Sequence, residues 1–145
     1  MSLRRWRNDR PEALKTVPNK ITLEFEGNPT WHEFVVLRLL ERAGWRGVWA
    51  KNWGGRAYWT DPGVVRALPD RTTQLIQELG READVGSGGC WDVIAWREQC
   101  FLFVESKQRG KDALRTNQLA WLQAGMTHDR VDFAIAEYVA LTSQG

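Results

Sequence analysis

Trp91-Asp92-Val93-Ile94-Ala95-Trp96, a short connection, then Phe101-Leu102-Phe103-Val104-Glu105-Ser106-Lys107 decide how this chain is read. Two apolar runs of strand length lie side by side, one opening on a carboxylate and the other closing on Glu-x-Lys. A continuous apolar strand is normally covered on both faces. Ionised groups at its end are costly to bury unless they are paired or hold a metal ion. If the runs pair as a hairpin, Asp92 and Glu105 fall near one end of the sheet, and Glu105 and Lys107, two apart, share a face. Two carboxylates a few Å apart repel each other, and a divalent cation relieves the repulsion by taking both as oxygen ligands.

Working outward, the spacing predicts a strand at 21–26, a helix from Trp31 to Ala43 closed by Gly44, and strands at 47–53 and 57–60. It also predicts a loop at 61–63, a polar helix at 69–79, a helix from Asp112 to Ala124 and a closing strand at 131–139. Asn28-Pro29-Thr30 reads as a helix start, with Thr30 and Glu33 forming a capping box. On the helical wheel Glu33 heads the apolar stripe of Val36, Leu37 and Leu40, away from Arg38 and Arg42. In the later helix Gln118 lies among Leu114, Trp121 and Leu122, with Lys111 and Arg115 before it on that side. A buried glutamine needs hydrogen-bond partners, which a neighbouring carboxylate or a metal-bound water could supply. Together these elements indicate an α/β domain with a central mixed β-sheet flanked by helices.

Bulk properties narrow the field. The 145 residues suit one domain over 21–145, preceded by a basic N-terminal arm over 1–20. That arm carries an excess of four positive charges within a chain of net charge +2, a distribution compatible with nucleic acid. No apolar run is long enough for a membrane helix and no signal peptide is evident. Two cysteines, Cys90 and Cys100, make no disulfide framework, so a cytoplasmic protein with reduced thiols is expected. With His32 and His128 they also lack zinc-finger spacing. Most of the nine tryptophans are expected in or beside the core, with one or two free to stack on bases.

The set formed by Glu33, Gly89-Cys90-Trp91-Asp92, Val104-Glu105-Ser106-Lys107 and Gln118-x-x-Trp121, with Trp45-Arg46-Gly47-Val48-Trp49 as a first strand, resembles the PD-(D/E)xK nuclease superfamily. The likeness extends from Trp31 to Val139 and is nearest to the virus-type replication-repair nuclease (VRR-NUC) branch. It departs from the pattern in having Trp91 where a proline usually precedes the aspartate, and in a longer segment over 61–84, taken as an insertion. The resemblance implies a restriction-endonuclease-like fold with core order αβββαβ and metal-dependent hydrolysis of DNA, including branched or junction DNA. Asp92, Glu105 and Ser106 would hold Mg²⁺ or Mn²⁺, Lys107 would position the attacking water, Glu33 would assist the metal, and Gln118 would support the site. Arg109, Lys111 and Arg115, with Arg4, Arg5 and Arg7 of the arm, would contact the nucleic acid, and a homodimer would suit a two-strand substrate. The alternative is a catalytically silent nucleic-acid-binding module of the same fold.

Overall fold

The computed structural model describes residues 3–4, 22–51, 56–110 and 113–139. Two sheets are present. The larger has six strands in the order β6-β5-β4-β7-β8-β9: Val64–Val65, Ala57–Asp61, Arg46–Lys51, Val93–Arg97, Cys100–Gln108 and Val131–Tyr138. The smaller joins Leu3–Arg4 (β1), Thr22–Phe25 (β2) and Asn28–Trp31 (β3). Among the described residues three α-helices complete the fold, α1 at His32–Arg42, α2 at Asp70–Glu82 and α3 at Thr116–Gly125. The protein is thus α/β, with a mixed sheet flanked by helices.

The quoted stretch forms the centre of the large sheet. β7 and β8 pair antiparallel from Val93↔Val104 to Arg97↔Cys100, joined by the two-residue turn Glu98-Gln99. β4 lies antiparallel on the far side of β7, while β9 runs parallel to β8 over the full length of β9. A parallel neighbour demands a crossover, which α3 supplies.

Because strand side chains alternate, the central strands feed two cores. One contains Val48, Ile94, Phe103, Trp91 and Trp121, with Leu75, Ile76 and Leu79 of α2. The other packs Trp31, Phe34 and Leu37 from the α1 side on Trp49, Val93 and Val104. The 61–84 segment therefore delivers β6 and a helix that belongs to the main core. Among the described tryptophans, Trp31, Trp49, Trp59, Trp91 and Trp121 are buried and Trp45 and Trp96 half-buried, as expected; Trp6 and Trp53 lie outside the described residues.

Three local readings are corrected. Asn28-Pro29-Thr30 forms strand β3 rather than a helix start, and α1 begins after Trp31 without a side-chain cap. Thr30 Oγ1 instead donates to the Asn28 carbonyl, so Thr30 and Glu33 form no capping box. The cause is the preceding turn, in which Glu26 and Gly27 both take positive φ (51° and 80°), the geometry that closes a two-residue hairpin. Proline is tolerated there because β3 is an edge strand. Second, α3 starts at Thr116, not Asp112: Arg115 is extended (φ −78°, ψ 158°) and its N–H is taken by the Gln118 side chain. Third, Asp61 belongs to β5 and the expected loop is a tight turn into β6. Strand β4 runs from Arg46 to Lys51, and positions 52–53 of the expected strand lie outside the described residues. Of the basic arm only Leu3–Arg4 is described, as backbone paired to β2.

No helix among the described residues is long and apolar enough to cross a membrane.

Close packing of α3 on β9 gives a stability prediction. A Cβ on Gly125 would fall 2.2 Å from Phe133 Cε2, and that ring is fixed by stacking on Phe103 and an edge contact with Trp91. Overpacking costs about 1–3 kcal/mol, against a helix-propensity gain of at most about 1 kcal/mol. Gly125→Ala is therefore expected to destabilise the fold, read as a lower denaturant midpoint at unchanged m-value.

Candidate active site

Asp92 sits one residue before β7, yet its backbone stays in the sheet, since its carbonyl accepts from the Ala50 N–H at 2.7 Å. Continuing the Val93↔Val104 register sets Asp92 across from Glu105. Both project to the face that carries Phe103 and Trp121, and Lys107 follows Glu105 on the same face. The three charged groups are thus brought together, as the sequence pattern anticipates.

Glu105 is the most buried of them, at 1% exposure, and its carboxylate is held from several directions. Oε1 accepts from the Asp92 backbone N–H at 3.1 Å. Oε2 accepts from Gln118 Nε2 and lies 3.4 Å from Lys107 Nζ. Asp92 Oδ2 in turn accepts from the Ser106 N–H at 3.1 Å. Gln118 ties this cluster to α3: its Oε1 accepts from the Arg115 N–H at 3.0 Å, and its own carbonyl accepts from Trp91 Nε1 at 3.1 Å. One side chain therefore closes the first turn of α3 and orients the Glu105 carboxylate.

Burial pushes the Asp92 carboxyl up to about 8, reinforced by its contact with Glu105, by the charge of Glu105 and by that of Glu33; the Ser106 N–H opposes the shift. At neutral pH the Asp92–Glu105 pair therefore retains a proton. Glu33 is buried in the first turn of α1, near enough for its charge to act on Asp92. Next to the pair, burial raises the Cys90 thiol to about 12, with Arg56 opposing and Asp92 and Glu105 adding to the rise. A thiol so raised stays protonated and is a poor nucleophile at neutral pH.

A pair of carboxyls sharing a proton is an arrangement that a divalent cation satisfies once that proton leaves. Among the described residues no group of three or more His, Cys, Asp or Glu side chains is placed to hold a metal ion. Cys90, Cys100, His32 and His128 are not gathered into a closed protein cage, and His128 instead meets Glu82 Oε2 at 2.9 Å. Mg²⁺ needs no such cage, because it is commonly held by one or two carboxylates with waters and substrate phosphate completing the shell. Asp92 and Glu105 fit that requirement. The Ser106 carbonyl leaves β8 on the same edge as its N–H, the edge that faces Asp92.

The Ser106 side chain points the other way, to a partner absent from the expected set: its Oγ is hydrogen-bonded to His32 Nδ1 on the α1 face. Lys51, also not anticipated, is buried on β4 with its ammonium 5.4 Å from the Trp59 ring centroid. Neither has a local sequence signature: packing of α1 on the sheet brings His32 to Ser106, and pairing of β4 with β5 brings Lys51 beside Trp59. Arg109 and Arg115 are exposed on the segments flanking the site. Arg5, Arg7, Lys111 and the side chain of Arg4 lie outside the described residues.

Compared with protein-family models, curated proteins and solved structures, the chain matches none of them.

Proposed function

We propose that this protein is a Mg²⁺- or Mn²⁺-dependent nuclease that hydrolyses phosphodiester bonds in DNA. The observation that carries the reading is the placement of Asp92 and Glu105 across neighbouring strands, with Lys107 Nζ 3.4 Å from Glu105 on the same face. Setting aside the small sheet β1–β3, then β5, β6, α2 and the short 3-10 turn at Gly86–Gly89, the element order is α1-β4-β7-β8-α3-β9, the αβββαβ order of a restriction-endonuclease-like core. The antiparallel β4-β7-β8 set followed by a parallel β9 is in keeping with it.

A bound divalent cation supplies neutralisation of the phosphate and acidification of a water. Asp92 and Glu105 would hold it through carboxylate oxygens, and the Ser106 carbonyl would be a further oxygen ligand. Gln118 keeps Glu105 from rotating away. Lys107 orients the attacking water and stabilises charge building on the phosphate oxygens. Asp92 must release its proton before it serves as an anionic ligand, so cleavage is expected to increase with pH up to about 8. Arg109 and Arg115 lie where a phosphate backbone would be gripped by charge, and a second copy of the chain would extend that grip to a branched substrate.

The competing reading is a silent nucleic-acid-binding module, favoured by one feature: both Glu105 oxygens already have protein partners. Labelled single-stranded, duplex, flap and four-way-junction DNA, with matching RNA, incubated with Mg²⁺, Mn²⁺ or EDTA separates the two. Cleavage that needs metal and stops with EDTA is the expected result. Salt-sensitive gel shifts without cleavage under any metal would establish the silent module.

A further inference from the structure

Ser106 is gripped from two directions. Its backbone N–H reaches along the sheet to Asp92 Oδ2 at 3.1 Å, while its hydroxyl is bonded to His32 Nδ1 on the opposite face of β8. His32 is the first residue of α1, only 8% exposed, and its ring centroid lies 4.5 Å from that of Tyr138 on β9. β9 is the parallel partner of β8 through this region, pairing Ser106↔Ala136 and Gln108↔Tyr138. The imidazole is thus fixed between the helix start and the edge strand, with one nitrogen on the residue that holds Asp92.

Packing alone does not call for histidine at this position. Burying an imidazole and a hydroxyl costs free energy that their mutual hydrogen bond roughly offsets, and an apolar pair of similar shape would fill the space as well. What the polar pair adds is a directed tether from α1 to the β8 residue whose N–H is aimed at Asp92.

Building on the metal-dependent reading above, we infer that His32 is a positioning residue, acting through Ser106 to hold Asp92 in the orientation that binds a divalent cation. Nothing in it requires His32 to touch the ion or to change charge. It assigns α1 two contributions to the site, Glu33 by its charge and His32 by a hydrogen bond.

The test uses the full chain and Mn²⁺ alone, with binding read by electron paramagnetic resonance and folding by thermal unfolding in EDTA. His32→Ala and Ser106→Ala are each expected to weaken Mn²⁺ binding about tenfold, the usual consequence of losing a group that orients a ligand. The double variant should be no weaker than either single one, because both act through one link. His32→Asn, whose amide can replace Nδ1, should recover most of the affinity. Asp92→Ala is the reference and should lose binding altogether. If the His32 and Ser106 variants keep Mn²⁺ affinity within about twofold while Asp92→Ala loses it, the positioning role is wrong and the metal site stands. Additive losses in the double variant also overturn the positioning role. If the unaltered chain binds no Mn²⁺, the metal-dependent reading fails and the inference with it.

Discussion

Asp92→Asn is expected to abolish cleavage, by on the order of 10³-fold or more, while making the metal-free protein more stable above neutral pH. The two effects share one cause. In the folded chain the Asp92 carboxyl is raised from 3.8 to about 8, chiefly by burial and then by Glu105 and Glu33. A carboxyl that holds its proton more tightly when folded contributes its full stabilisation below pH 3.8 and loses it progressively as pH rises to about 8. Asparagine is neutral throughout. Its amide oxygen can still accept from Ser106 N–H, and its NH₂ can donate to Glu105, so the local geometry survives. The stability gain of the variant should thus grow from about pH 4 and level off above about pH 8, reaching roughly 1–4 kcal/mol, the range seen when buried charges are replaced by neutral groups. Thermal unfolding in EDTA from pH 4 to 9 measures it. Added Mn²⁺ should raise the unfolding temperature of the wild type and leave that of Asp92→Asn unmoved. A variant less stable than wild type at pH 8.5 would mean that Asp92 serves the fold, and the case for a cation site would lose its electrostatic support. A residue that weakens the fold where it stands is the expected mark of a functional group.

How far the site was legible follows from which periodicities were local. Glu105, Lys107 and Asp92 come together because a two-residue period and a short hairpin leave little freedom, and both can be read within one stretch of chain. Gln118 was legible because a glutamine on an apolar helical stripe needs a partner, and Glu105 is that partner. Its second task, taking the Arg115 N–H, was not, and this is why the expected helix began too early. The β2–β3 hairpin escaped for a related reason. Asn-Pro-Thr carries the same local signals at a helix start and in an edge strand, and the choice is made by pairing of Glu24 with Pro29 and Leu23 with Thr30. His32 and Ser106 stand 74 residues apart, so no spacing rule connects them. Likewise, α2 was legible only as a polar helix, not as one whose Leu75, Ile76 and Leu79 complete the core with Trp91. What was missed is in each case a contact decided by tertiary packing rather than by neighbouring residues.

Lys107→Met is expected to separate chemistry from metal binding. Methionine keeps much of the length and apolar character of the stem and removes the charge. The ammonium lies 3.4 Å from Glu105 Oε2, and its side chain is only 13% exposed. A cation at that distance competes with a metal ion for the same oxygen. Mn²⁺ affinity in Lys107→Met should therefore be unchanged or higher. Cleavage should fall by about 10²–10³-fold, the usual loss when one group stabilising a developing anion is removed. Lys107→Arg is not a neutral control, because a planar guanidinium cannot place a single charge as an ammonium does. Without metal, Lys107→Met should also be less stable. Removing one partner of a fully buried pair costs about 3–5 kcal/mol. Glu105 keeps its bonds from Gln118 and the Asp92 N–H, so a smaller loss of about 1–3 kcal/mol is expected here. Mn²⁺ should restore that stability without restoring activity, a combination that a structural role for Lys107 would not produce. Full cleavage by Lys107→Met would remove Lys107 from the reaction, and lost Mn²⁺ binding would place it in the metal site instead.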